Sequence, residues 1–167
     1  MGLVLLSRVV QLLVFLLPPY VANATPVVAS KLYRPGHPID LGTVFVDGER
    51  LLGDNKTIEG FISGVVTGTL TGAVLGLMGL NSVYEAFVMS VGAMIGDCAG
   101  SFVKRRLKLR PGQRALVLDE LPFIIVALLL YSVCVEPLKL ETWVASVLIT
   151  LPLHILTNRI ASILGLR

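Results

Sequence analysis

Apolar residues gather into five long runs separated by polar stretches. The runs cover about Leu3 to Ala29, Gly60 to Leu80, about Val83 to Val103, Leu121 to about Val135, and Thr142 to about Leu164. A helix crosses a bilayer with about 20 apolar residues, so the pattern predicts an all-α, polytopic membrane protein with five transmembrane helices. Pro18-Pro19 should bend or break the first run, and Pro152 should kink the fifth. The fourth is short and needs flanking residues to reach across. Gln11 to Ala24 also resembles a signal-peptide core, with Val21-Ala22-Asn23-Ala24 as a cleavage-like end. The basic residue Arg8, however, lies inside the apolar run and not ahead of it. A retained helix with Arg8 snorkelling to the interface fits better.

Composition agrees with the pattern. Hydrophobic residues make up 54% of the chain and charged residues 15%, where a soluble domain carries about a quarter charged. The polar remainder is too short for a second soluble domain, so residues 1–167 are expected to form one integral membrane unit. Cys98 and Cys134 lack metal-ligand spacing and are expected to be small core residues.

Charge placement sets the expected topology. Lys104, Arg105, Arg106, Lys108, Arg110 and Arg114 cluster after the third run, and retained basic loops face the cytoplasm. The loop of about 30–59, with Lys31, Arg34, Arg50 and Lys56, then shares that face with the loop of about 104–120. The N-terminus falls outside and the C-terminus, with Arg159 and Arg167, inside. The second run carries Gly60, Gly64, Gly68, Gly72 and Gly76, and the third carries Gly92, Gly96 and Gly100. Small residues at every fourth position let another helix approach closely. Close packing of these two runs against a neighbour, or each other, is the leading expectation. A smooth groove for a lipid chain is the alternative.

Asp97 ends up near the cytoplasmic end of the third run. At about 100° per residue, Asp97, Ser101, Lys104 and Lys108 fall within roughly 60° on one helical face, with Arg105 at its edge. A carboxylate in such a place faces a cavity, a partner or a metal, and neighbouring cations suit a polyphosphate. A plain salt bridge to Arg105 is the simpler alternative. Asp119, with Glu120 beside it, supplies a second carboxylate on the same side, and magnesium needs few protein ligands when phosphates complete its shell. Asn55, Lys56 and Thr57 stand just before a helix start, where an anion is favoured, although a helix cap with a snorkelling lysine explains them too. His37 and His154 have no partner at ligand spacing, and Glu85 belongs to the outer interface.

The string Gly96-Asp97-x-x-x-Ser101-x-x-Lys104-Arg105-x-x-x-Lys108, then Pro111-Gly112 and Asp119, resembles the signature of membrane CDP-diacylglycerol synthases. Pro38-Ile39-Asp40 and Leu52-Gly53-Asp54-Asn55-Lys56-Thr57-x-x-Gly60 resemble more particularly its archaeal branch, the CDP-archaeol synthases. The resemblance covers Pro38 to about Ala127. It implies a cytidylyltransferase that joins CTP to 2,3-di-O-geranylgeranyl-sn-glycero-1-phosphate and releases pyrophosphate, with the active site on the cytoplasmic side of the cell membrane. It also implies Mg2+ on Asp97 and Asp119, with Lys104 and those two acids carrying catalysis. Asn55, Lys56, Thr57, Ser101, Lys104, Arg105 and Lys108 would bind phosphates. The partners would be CTP and an isoprenoid ether lipid phosphate, with no nucleic acid, and oligomeric state is left open. One departure stands out: Pro122 occupies the place of the family's second aspartate, so either Glu120 would have to substitute as the further metal ligand or one metal would be lost. From another class, a small transporter or channel subunit with a functional intramembrane Asp97 is the rival, although no internal repeat supports it.

Overall fold

A computed structural model describes residues 2–32, 36–110, 113 and 115–163, with side chains omitted at 2–5, 31–32, 116 and 154–163. Arg34, Pro111-Gly112, Arg114 and Arg167 therefore lie outside the described residues, as do the side chains of Lys31, His154 and Arg159. The described chain is helical: α1 (Gly2–Leu32), α2 (Ile58–Leu77), α3 (Val83–Arg106), α4 (Leu116–Glu120), α5 (Pro122–Cys134) and α6 (Leu140–Ile163).

Among the described residues, three helices are long and apolar enough to span a bilayer: α1, α2 and α3. α5 has 13 residues, about 20 Å at the helical rise, and so falls short of a hydrocarbon core alone. Of the bend or break expected in the first run, a break does not occur: α1 continues through Pro18, Pro19 and Pro26. Proline has no N–H for the carbonyl four residues back. Here the freed Ala22 carbonyl lies over α2, where a Cβ built on Gly64 would stand 2.7 Å from it. The proline helix and the glycine helix are thus fitted to each other.

α2 reverses the pattern of a soluble amphipathic helix. Gly60, Gly64, Gly68 and Gly72 are buried, while Ile62, Val66, Leu70 and Val74, half a turn away, are exposed. Glycine inward and branched apolar chains outward is what a lipid-facing helix requires. α3 meets α5 in the same manner. A Cβ on Gly92 would lie 2.6 Å from the Ala127 Cα, and one on Gly96 2.7 Å from the Phe123 Cα. Protein therefore fills both glycine stripes, which supports the packing expectation and removes the lipid groove along them.

The core joins α1, α3 and α5 through Leu16, Met89, Ala93, Phe123, Ile124 and Leu128. Tyr20 of α1 and Thr150 of α6 share a hydrogen bond of 2.7 Å, and Thr25 of α1 and Thr67 of α2 another of 2.7 Å. Such bonds link helices where hydrophobicity offers no preference between protein and lipid. Cys134 is exposed, contrary to the expectation of a core residue, and Cys98 is partly buried.

Candidate active site

The segment before α2 is a closed loop. Its base is pinched by Ile39 N–H donating to the Lys56 carbonyl and Ile58 N–H to the His37 carbonyl, both at 2.8 Å. His37 meets Glu59 at 2.5 Å through Nδ1. Thr57 is the N-cap of α2, its hydroxyl oxygen accepting from Gly60 N–H at 3.1 Å. The capping explanation therefore holds for Thr57, and the Ile58 and Gly60 N–H groups are already used.

Asp40 organises the interior of the loop. Its side chain is fully buried and accepts from Leu52 N–H and Gly53 N–H at 2.9 Å each, Gly42 N–H at 3.2 Å and Arg50 Nη2 at 2.6 Å. Burial alone would raise its pKa, yet the Arg50 contact and three backbone donors outweigh it and hold the carboxyl well below the usual range. Arg50 is correspondingly pushed up by Asp40, and it also reaches Asp54 at 2.8 Å. This loop delivers Asn55, which is exposed, and Lys56, whose side chain is 22% exposed, to the end of α3.

There Lys56 forms an ion pair with Asp97. The salt-bridge alternative for Asp97 is therefore met, by a lysine 41 residues earlier and not by Arg105. The pair lines a narrow cleft of about 10 Å³ between the loop, α1, α2 and α3, with Asn55, Pro26 and Cys98 also in its wall. That is room for about one water.

A second pair follows on the same helix. Lys104 donates to Asp119 Oδ1 at 2.6 Å, and Asp119 Oδ2 accepts from Ala115 N–H at 3.0 Å, capping α4. Lys104 lies seven residues beyond Asp97, about 10 Å farther along α3. α4 reaches this point because α3 offers no side chain at Gly100, where a Cβ would stand 2.6 Å from the Leu118 carbonyl oxygen. Ser101 lies between the pairs, partly buried.

Lys108 departs from the expected face, and Arg105 and Glu120 are buried. α3 ends at Arg106, and Lys108 enters the left-handed region at φ 56°. Its N–H bonds the Arg105 carbonyl while Leu109 N–H bonds that of Lys104, which is the Schellman termination. Lys108 is thereby removed from the helical register that aligned it with Asp97. Arg105 is buried at 7% exposure and forms no salt bridge among the described residues. Glu120 is 2% exposed; as Asp119's neighbour on a helix it points about 100° away. Among the described residues no three His, Cys, Asp or Glu side chains gather as a metal cage.

Sequence reasoning passed over Asp40, Arg50 and Arg106 as site-building residues. Asp40-Leu41-Gly42 carried a usable signal, since aspartate two residues before glycine favours an Asx turn.

The chain is similar to known proteins along nearly its whole length. The family model described as CarS-like, CDP-archaeol synthase, matches residues 5–167. The CDP-archaeol synthase of Thermofilum pendens is 46% identical over 164 residues, covering 96% of this chain and 80% of that one. Its counterpart in Methanocaldococcus jannaschii is 39% identical, covering 92% of each. A solved structure, described as an intramembrane enzyme for archaeal membrane lipids biosynthesis, superposes with a TM-score of 0.78 at 39% identity, over 87% of this chain and 91% of that one. Two lysine–aspartate pairs at one end of glycine-packed apolar helices thus sit on a recognised framework, and the chain belongs to the CDP-archaeol synthase family.

Proposed function

We propose that the two lysine–aspartate pairs are the resting form of a nucleotide and lipid-phosphate site. As a family member the chain is a membrane cytidylyltransferase of archaeal lipid synthesis, using CTP and a lipid phosphate. The Lys56–Asp97 pair carries the assignment of the site, because it joins the loop to α3 across a cleft. Each lysine can exchange its carboxylate for a phosphate oxygen, and the exchange conserves charge pairing. Asp97 would then be open to a divalent ion.

A single partly exposed carboxylate facing a phosphate site fits magnesium, which keeps waters and takes one or two protein carboxylates. Bound beside Asp97, that ion would neutralise charge on the triphosphate. Asp119, one oxygen of which is free to leave Lys104, would serve farther along the substrate, and Glu120 is too enclosed to join it. Asn55 and Lys56 would hold the nucleotide phosphates, Lys104 the departing pyrophosphate, and buried Arg105 the lipid phosphate, with Ser101 between them. An oxygen of the lipid phosphate attacks the α-phosphorus of CTP, and the bond to the β-phosphate breaks, releasing pyrophosphate. The nucleophile is already an anion, so no strong base is required. Alignment and charge neutralisation are the contributions of the protein.

The lipid would be 2,3-di-O-geranylgeranyl-sn-glycero-1-phosphate. Residues 1–167 would act as one unit in the cell membrane, with α5 and α6 completing five crossings, the N-terminus outside, and the site facing the cytoplasm. The transporter or channel reading is not favoured, since both pairs lie toward one end of the helices. Purified chain with labelled CTP, Mg2+ and either diether or diacyl glycerol phosphates should form CDP-lipid and pyrophosphate, with the diether preferred. An Asp97→Asn variant with near-normal turnover would remove Asp97 from the site.

A further inference from the structure

The loop before α2 is tied to α3 at a second place, away from the cleft. Its tip is a short hairpin, with Phe45 N–H donating to the Glu49 carbonyl at 2.8 Å and Val44 bridged to Arg50. Arg106, the last residue of α3, grips this tip. Its Nη1 donates to Asp47 Oδ1 at 2.6 Å, and its Nη2 to the Arg50 carbonyl at 2.6 Å and the Glu49 carbonyl at 3.4 Å. The guanidinium lies 4.6 Å from the Phe45 ring centre and 5.0 Å from that of Phe102. The two rings meet edge to face at 5.5 Å. A planar cation held by two aromatic rings and three oxygens is a geometry lysine cannot reproduce.

These contacts continue inward. Arg106 holds the Arg50 backbone, the Arg50 side chain holds Asp40, and Asp40 holds the N–H groups of Leu52 and Gly53. Asn55 and Lys56 follow directly. Among the described residues, the other ion pair between this loop and α3 is Lys56–Asp97. The proposed reaction dissolves that pair when Lys56 turns to a phosphate. Arg106 is then the ionic tie that remains, and both its terminal nitrogens are already engaged by the loop, while its buried Nε has no hydrogen-bond partner among the described residues.

We infer that Arg106 is a positioning residue for the nucleotide, clasping the loop tip to α3 so that Asn55 and Lys56 stay in register with Asp97 during turnover. The inference rests on the proposed role of Lys56, and its test separates the two. Full-length chain in lipid nanodiscs is compared as wild type, Arg106→Lys and Phe45→Leu, first by hydrogen exchange without substrate. Exchange across 43–53 should rise about tenfold in Arg106→Lys, as expected for loss of a charged hydrogen-bond set, and less in Phe45→Leu. Kinetics should then show KM for CTP raised about tenfold, with kcat and the KM for lipid phosphate within about twofold. Unchanged exchange across 43–53, or KM values for both substrates rising together, overturns the clasp. If Arg106→Lys does not fold, Phe45→Leu decides, because it keeps every charge. A wild type that turns over no CTP would defeat the site assignment, while the exchange measurement would still decide whether the clasp exists.

Discussion

The helical body and the loop before α2 are held together by opposite means. In the body, backbone meets backbone: glycines of α2 and α3 bring α1 and α5 so close that a Cβ has no place. In the loop, charge meets charge and donor meets acceptor, around Asp40, Arg106 and Lys56. Packing of the first kind is insensitive to pH and salt and tolerates no added volume. Contacts of the second kind tolerate volume at the surface yet depend on ionisation and geometry. The framework is rigid by shape, and the site is arranged by charge.

Substitutions that separate the two behaviours test the comparison. Asp97→Asn should lower kcat about 10²–10³-fold, the range for removing one aligned charged contact. It should leave thermal unfolding nearly unchanged, because a partly exposed ion pair contributes about 0–1 kcal/mol. Gly96→Val should do the reverse: unfolding in detergent should show a loss of about 3 kcal/mol or more, while the folded fraction keeps its KM for CTP. Asp40→Asn should raise KM for CTP roughly tenfold by loosening the loop, a charged hydrogen bond contributing about 1.5–3 kcal/mol, with little change in unfolding temperature of the body. Chelation of divalent ions should abolish turnover without shifting that temperature.

The smallest effect is one of pH. Asp40 has a folded pKa held below the ordinary value, so its stabilisation is complete above about pH 4, the unfolded value. It is lost as pH falls through the lower folded value. Hydrogen exchange across 38–53 should therefore rise only in acid, whereas the contact of α3 with α5 at Gly92 and Gly96 should be flat. A flat loop would show that Asp40 is not the organising charge.

The body was legible in the sequence because its determinants are local and periodic. The four-residue glycine spacing reported both which helices pack and on which face. The continuity of α1 through its prolines was not legible, since Pro18, Pro19 and Pro26 locally favour a bend or a break. At the site, Lys56, Asp97, Lys104 and Asp119 were recognised as residues, but not as two pairs. Lys56 finds Asp97 41 residues away, and Arg106 finds Asp47 59 residues away. Lys108 was misplaced because ideal periodicity was carried past the point where α3 ends. His37 and Glu59, 22 residues apart, escaped notice for the same lack of local signal.

One consequence follows from the seating of α4 and α5 on Gly96 and Gly100. With backbone packed against backbone there, sliding or rolling of α3 beneath its neighbour would cost close packing on both sides. On the reading of the two pairs as a phosphate site, the cheapest motion to admit a triphosphate would be torsional: two lysine stems swinging on four-carbon arms above the carboxylates.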